Sequence, residues 1–275
     1  MSMIGFFDSG FGGLTVLKSV EGLLPEYDYL YFGDNARVPY GTRSQEIVYE
    51  FTRQAVDYLF RQGCPLVIIA CNTASAKALR RIQQVFLPAY YPDRRVLGVV
   101  RPSAEEIVER HCRRVGILAT EGAVASNIYK VEINALAPDI QVYHQACPLL
   151  VPIIEAGEVD WVGTDLIIER YLGQLFAQDA GIDTILLACT HYPILYKKFI
   201  RQVGSKSRVL DQGPIVARKL KSYLARHPEV EVRLARRGKR FFLTTDTSER
   251  FDRLARIFYG NSIHSKLLSL DTLCR

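Results

Sequence analysis

The 275-residue sequence contains no C-x-x-C pair, so a zinc ribbon or a thioredoxin-like redox motif has no anchor in it. It has no run approaching the ~18 apolar residues that a membrane helix needs. It has no low-complexity linker to mark a domain boundary. The opening MSMIGFFDSG lacks a basic stretch before an apolar core and a small-residue cleavage site, so no secretory signal and a cytoplasmic location are expected. With 48% hydrophobic and 23% charged residues, the chain has the composition of a folded protein with a substantial core.

Charge is present but uneven. The net charge is +6, yet residues 201–275 hold 17 Lys or Arg against 7 Asp or Glu, while residues 1–200 are net acidic. The basic stretch RLARRGKRFF (233–242) is therefore the place to look for a nucleic-acid surface. No nucleic-acid-binding motif accompanies it, and a solvated face is the expectation. The six cysteines are Cys64, Cys71, Cys112, Cys147, Cys189 and Cys274. In a reducing compartment each is by default a small buried hydrophobe. Cys64 and Cys112 keep that reading, and Cys274, near the terminus, carries none.

Short apolar runs alternate with helical spacing along most of the chain. IGFF (4–7), YLYF (29–32), LVIIA (66–70), VLGVV (96–100), VGILA (115–119), IQVYH (140–144), TILLA (184–188), RVL (208–210) and RFFLTT (240–245) read as strands. Several are continuously apolar, as parallel strands covered on both faces are. Between them lie helical patterns such as 14–24 and 160–178, and a helix that Ser44 caps and Gly63 ends. Ser103 and Glu106 have the spacing of a capping box. Pro193 stands at an early helical position, where proline is tolerated. This alternation predicts an α/β protein with mostly parallel sheets.

The two halves also resemble each other. VIIACNTAS pairs with ILLACTHYP, and IGFFDSGFGGLTVL with VGILATEGAVAS. Cys71 and Cys189, 118 residues apart, then occupy equivalent points at the carboxyl ends of two strands. Sites in open α/β sheets form outside those ends. If two related lobes face each other, the thiols face each other across a cleft.

DSGFGG (8–13) follows one strand and opens a helix, which exposes backbone N–H groups suited to an anion. It lacks the last glycine of the dinucleotide fingerprint, and alone it reads as a tight turn. Asp8 and Ser9 add weight towards a site. GDNARVPYG (33–41) serves equally well as a structural or a binding loop. CNT (71–73) and CTH (189–191) are stronger together than apart. A thiol at a helix N-terminus is expected to have a lowered pKa, and Asn72, Thr73, Thr190 and His191 place hydrogen-bonding groups beside it. Two matched thiols without a metal suit two chemistries. One is a disulfide switch. The other is deprotonation at a carbon from one face with reprotonation at the other, which needs one thiolate and one thiol. The weakly acidic α-proton of an amino acid also requires oriented donors for the developing charge.

Taken end to end, FDSGFGGLTVL, YFGDNARVPYGTRS, ACNTASA, ACPLLVPIIEAG and LLACTHYPIL resemble the glutamate racemases of the aspartate/glutamate racemase family. The resemblance implies cofactor-independent interconversion of L- and D-glutamate for peptidoglycan synthesis, with no metal. It implies that Cys71 and Cys189 are the acid–base pair, Cys71 taking the proton of D-glutamate and Cys189 that of L-glutamate. Asp8 and His191 would assist Cys71 and Cys189 respectively, with Glu155 a further catalytic candidate. Asp8, Ser9, Tyr40, Gly41, Asn72, Thr73, Thr120, Thr190 and His191 would hold substrate. The implied fold has two pseudo-symmetric α/β lobes with the site between them, residues 1–97 plus 207–275 forming one and 98–206 the other. A homodimer is expected, with glutamate as the small-molecule partner and neither membrane nor nucleic acid. Ser103, DQG (211–213) and TTDT (244–247) depart from the commoner family strings, which bears on lobe packing or regulation rather than on the reaction. Aspartate and hydantoin racemases share the two-thiol plan, and PYG and THYP favour glutamate. A redox-responsive binding protein is the alternative from another class.

Overall fold

The computed structural model describes residues 2–273, so Cys274 lies outside the described residues. The first part of the chain runs β1 (Ile4–Asp8), α1 (Gly13–Leu23), β2 (Tyr29–Gly33), α2 (Gln45–Arg61), β3 (Leu66–Ile69), α3 (Asn72–Lys77) and β4 (Arg95–Gly98). The middle runs α4 (Val100–Glu109), β5 (Arg114–Ala119), α5 (Ile128–Leu136), β6 (Gln141–Ala146), α6 (Leu150–Glu155), α7 (Val162–Gln178), β7 (Thr184–Ala188), α8 (Tyr196–Val203) and β8 (Arg208–Asp211). The chain closes with α9 (Gln212–Arg226), β9 (Arg240–Thr244), α10 (Ser248–Tyr259) and β10 (Ser265–Leu267). Short turns of helix fill several of the connections.

Two sheets result, in the orders β10-β9-β2-β1-β3-β4 and β6-β5-β7-β8, and every pairing is parallel. The continuous apolar runs account for this. Every residue of β1, β2, β3 and β7 is buried, as strands covered by helices on both faces require. The order β2-β1-β3-β4 repeats as β6-β5-β7-β8, so β3 and β7 are topological equivalents. The repeat read from paired strings is thus a repeat of topology. β9 and β10 extend the first sheet beyond β2.

Three features differ from the sequence expectations. β8 pairs with β7, so the chain returns to the first sheet after Asp211 rather than before residue 207. A run as short as RVL has no periodicity that could say which sheet it joins. Ser103 and Glu106 form no capping box, because the helix begins earlier, at Val100. Ser103 Oγ instead donates to the Val99 carbonyl from inside the helix, and Glu106 pairs with Arg110 and Arg218. β10 carried too little pattern in three residues to be read as a strand.

The lobes are not separate cores. One apolar cluster includes Leu17 and Val20 of α1, Leu187 of β7 and Val216 and Leu220 of α9, and so runs from one sheet's helices into the other's. Ser44 caps α2 by accepting from the Ile47 N–H. The basic stretch is spent on internal pairs. Arg233 reaches Asp93, Arg237 reaches Asp28, Arg236 reaches Glu231 and Arg240 reaches Glu21. Among the described residues no helix is long and apolar enough to cross a membrane.

Candidate active site

The turns after β1, β3, β5 and β7 converge on a cavity of about 400 Å³. Cys71 comes to its wall from the first sheet and Cys189 from the second, at the equivalent strand ends. Cys71 is the N-cap of α3, and its Sγ accepts from the Ala74 N–H at 3.4 Å. Ser9 Oγ lies 3.4 Å from the same sulfur. Cys189 Sγ lies 4.0 Å from His191 Nδ1, and His191 Nε2 is 3.0 Å from Glu155 Oε1. Cys189, His191 and Glu155 therefore form a chain of contacts on the second lobe's side.

Glycines let the two halves meet. A Cβ on Gly12 would stand 2.2 Å from Thr190 Oγ1 and 2.4 Å from His191 Nδ1, so the turn after β1 lies directly against the CTH turn. Thr15 Oγ1 ties them by donating to the carbonyl of Thr190 at 2.9 Å. Asp8 sits at this junction. Its carboxylate accepts from the Gly10 N–H at 2.8 Å and from Thr190 Oγ1 at 3.5 Å. It is not among the residues that line the cavity, unlike every other expected substrate-holding residue: Ser9, Tyr40, Gly41, Asn72, Thr73, Thr120, Thr190 and His191 all do. Glu155 lines it as well. Thr73 Oγ1 and Thr120 Oγ1 join the two lobes at 2.9 Å.

The loop after β2 is fixed structurally and also reaches the cavity wall. Buried Asp34 accepts from Arg37 at 2.7 Å, from Tyr40 OH at 2.5 Å and from Thr245 Oγ1 at 2.9 Å, which fixes the loop. The fixed loop presents Tyr40 and Gly41 to the cavity. The TTDT string is thus the loop's anchor.

The Asp/Glu/hydantoin racemase family profile matches residues 15–220. The chain belongs to this racemase family. A curated glutamate racemase of Persephonella marina is 35% identical over 272 residues, covering 98% of both chains. The structure of a glutamate racemase from Francisella tularensis in complex with D-glutamate superposes with a TM-score of 0.87 at 32% identity, covering 98% of each chain. A glutamate racemase isoform from Bacillus anthracis gives 0.88 at 30% identity, again over 98% of each.

Within this cavity, electrostatics separate the two sides. Burial pushes the Cys71 thiol up to about 12, and the neighbouring Asp8 carboxylate adds to the effect, while hydrogen bonds from Ser9 and Ala74 oppose it. The lowered pKa expected from the helix N-terminus is therefore overturned: dehydration and a nearby anion outweigh one N–H contact. Burial disfavours a charged His191, but contact with Cys189 and Glu155 outweighs it and raises the imidazole to about 10. Asp8 is itself raised by burial, an effect that His191 and the backbone N–H groups of Gly10 and Gly13 reduce.

Residues that sequence reading passed over also stand here. Cys147, Pro152, Thr42 and Glu121 line the cavity, and Gln212 and Tyr129 hydrogen-bond to Asn72 from behind. Cys147 lies in the ACPLLVPIIEAG string and carried a signal, but its default reading was packing. A larger cavity of about 620 Å³, lined by Arg101, Lys219 and Arg226 among others, holds neither thiol of the pair. Both thiols line the smaller one.

Proposed function

We propose that this chain interconverts L- and D-glutamate by two-base proton transfer between Cys71 and Cys189, without a cofactor. The observation that carries the reading is the delivery of two thiols to one cavity from equivalent strand ends of two different sheets. The reaction breaks the Cα–H bond on one face and forms it on the other. From L-glutamate, the Cys189 thiolate takes the α-proton and the Cys71 thiol returns one to the opposite face. From D-glutamate the roles reverse. Burial holds Cys71 as a thiol in the free enzyme, the form needed to act as acid towards L-glutamate. His191, steadied by Glu155, tunes Cys189, and Asp8 sets the field at Cys71.

Asn72, Thr73, Thr120, Thr190, Ser9 and the Tyr40–Gly41 loop hold the substrate and supply donors for the charge that develops. The glutamate racemases reported above, one of them in complex with D-glutamate, support glutamate as the substrate. The product would serve peptidoglycan synthesis in the bacterial cytoplasm, and the enzyme would act as a homodimer whose two α/β lobes close on the site.

A circular-dichroism assay with L- and D-glutamate and no added cofactor tests the reading. Ellipticity should decay to zero from both enantiomers, and preincubation with chelator or hydroxylamine should leave the rate unchanged. Faster turnover of aspartate would replace glutamate as substrate, and no turnover of either would defeat the proposal.

A further inference from the structure

Behind Asn72 lies a closed ring of hydrogen bonds whose direction is set throughout. Gln212 Nε2 donates to Tyr129 OH at 2.7 Å, Tyr129 OH donates to Asn72 Oδ1, and Asn72 Nδ2 donates back to Gln212 Oε1 at 2.7 Å. The second Gln212 Nε2 hydrogen goes to Ser103 Oγ at 2.8 Å, and Ser103 Oγ donates to the Val99 carbonyl at 2.7 Å. Asn72, Ser103, Gln212 and Tyr129 are all buried. Both ends of the Gln212 amide are committed, and so is the Asn72 carbonyl. Among the described residues, one hydrogen on Asn72 Nδ2 has no partner, and this residue lines the cavity and directly follows Cys71.

The members come from different parts of the fold. Asn72 opens α3 of the first lobe, while Ser103 and Tyr129 lie on α4 and α5. Gln212 is the first residue of α9, at the point where the chain leaves the second sheet for the first. An asparagine amide can turn over, exchanging its donor and acceptor ends. Here a turned amide would set Nδ2 against the Tyr129 hydroxyl hydrogen and Oδ1 against Gln212 Oε1, leaving buried groups unpaired.

We propose that Gln212 is a positioning residue that fixes the donor end of Asn72 for the substrate, working with Tyr129 and Ser103. The proposal rests on the assignment of Asn72 to the substrate site.

The test is a kinetic double-mutant cycle on the full chain, using Gln212→Met, Asn72→Ala and the pair, with thermal melting of each. Gln212→Met keeps an unbranched side chain and removes both amide groups. It should raise KM about tenfold in both directions, the scale of one lost hydrogen bond, with kcat altered by less than about threefold. In the Asn72→Ala background the same substitution should have no further effect on kcat/KM. A merely structural role would lower the active fraction, and so kcat, equally with and without Asn72. Tyr129→Phe removes one oxygen from the same ring and should raise KM in the same manner, which covers the case in which Gln212→Met does not fold. An unchanged KM in both Gln212→Met and Tyr129→Phe, or an equal loss with and without Asn72, would overturn the proposal alone. A harmless Asn72→Ala would remove Asn72 from the substrate site and the proposal with it.

Discussion

Cys71 and Cys189 are about 95% shielded from solvent, at 6% and 5% exposure, yet both reach the cavity wall. Each would act as base in one direction and acid in the other, so neither suffices alone. Cys71→Ala and Cys189→Ala are each expected to abolish racemisation. The atom removed is small, and melting should move little compared with larger core truncations. Near-normal turnover by either folded variant would refute the pairing. His191 gives a stability signature. Its pKa is raised to about 10 in the folded chain, against an ordinary value near 6.5. The folded state therefore binds this proton more tightly than the unfolded state, and the resulting stability is full below about pH 6.5 and lost as pH rises towards 10. Melting temperatures of the wild type and His191→Asn should differ most near pH 6 and converge by about pH 10. A difference that stays flat across that range would contradict the charged imidazole.

At the scale of elements, the legible parts were those with a long apolar run. β1, β3, β5 and β7 are legible nearly to their ends, because four or five consecutive buried residues leave little room for another assignment. Local capping logic failed at Ser103, where the hydroxyl found the Val99 carbonyl within its own helix. The turn after β1 offers a sharper test. Gly12 has φ of −58°, which any residue adopts, so the requirement for glycine there is one of space alone. Gly12→Ala should press Thr190 and His191 out of place, lowering both melting temperature and turnover. Gly173 in α7 is the control, since a Cβ there meets nothing within 4 Å. Gly173→Ala should stabilise the protein by about 0.5–1 kcal/mol, with activity unchanged. Denaturant midpoints with a constant slope would measure both. A Gly12→Ala variant as stable and active as wild type would show that the two turns need not lie so close.

Across the whole molecule, the repeated strand order places equivalent turns of two sheets around one cavity, and this geometry makes a prediction about isotopes. One enantiomer of glutamate is allowed to react briefly in D₂O. With thiols on opposite faces, the group that removes the α-proton is not the one that returns a proton. The returning thiol has already exchanged with solvent, so product should carry deuterium, and unreacted substrate should carry little. Mostly unlabelled product at early times, from either enantiomer, would indicate a single base serving both faces.

The sequence by itself determined the alternation of strands and helices, the parallel sheets and the paired thiols, because runs of apolar residues and repeated strings are local in the chain. It also displayed most of the residues that line the cavity, since these cluster immediately after the strand ends. Only the tertiary structure decided what depends on contacts between distant segments. It put β8 in the second sheet, drew the basic stretch into pairs with Asp28 and Asp93, and raised rather than lowered the Cys71 pKa by burying it beside Asp8. It also brought together Ser103 and Gln212, which lie 109 residues apart and share a hydrogen bond. Burial and hydrogen-bond partners are properties of the packed chain, and no local pattern encodes which distant group will occupy the space beside a side chain.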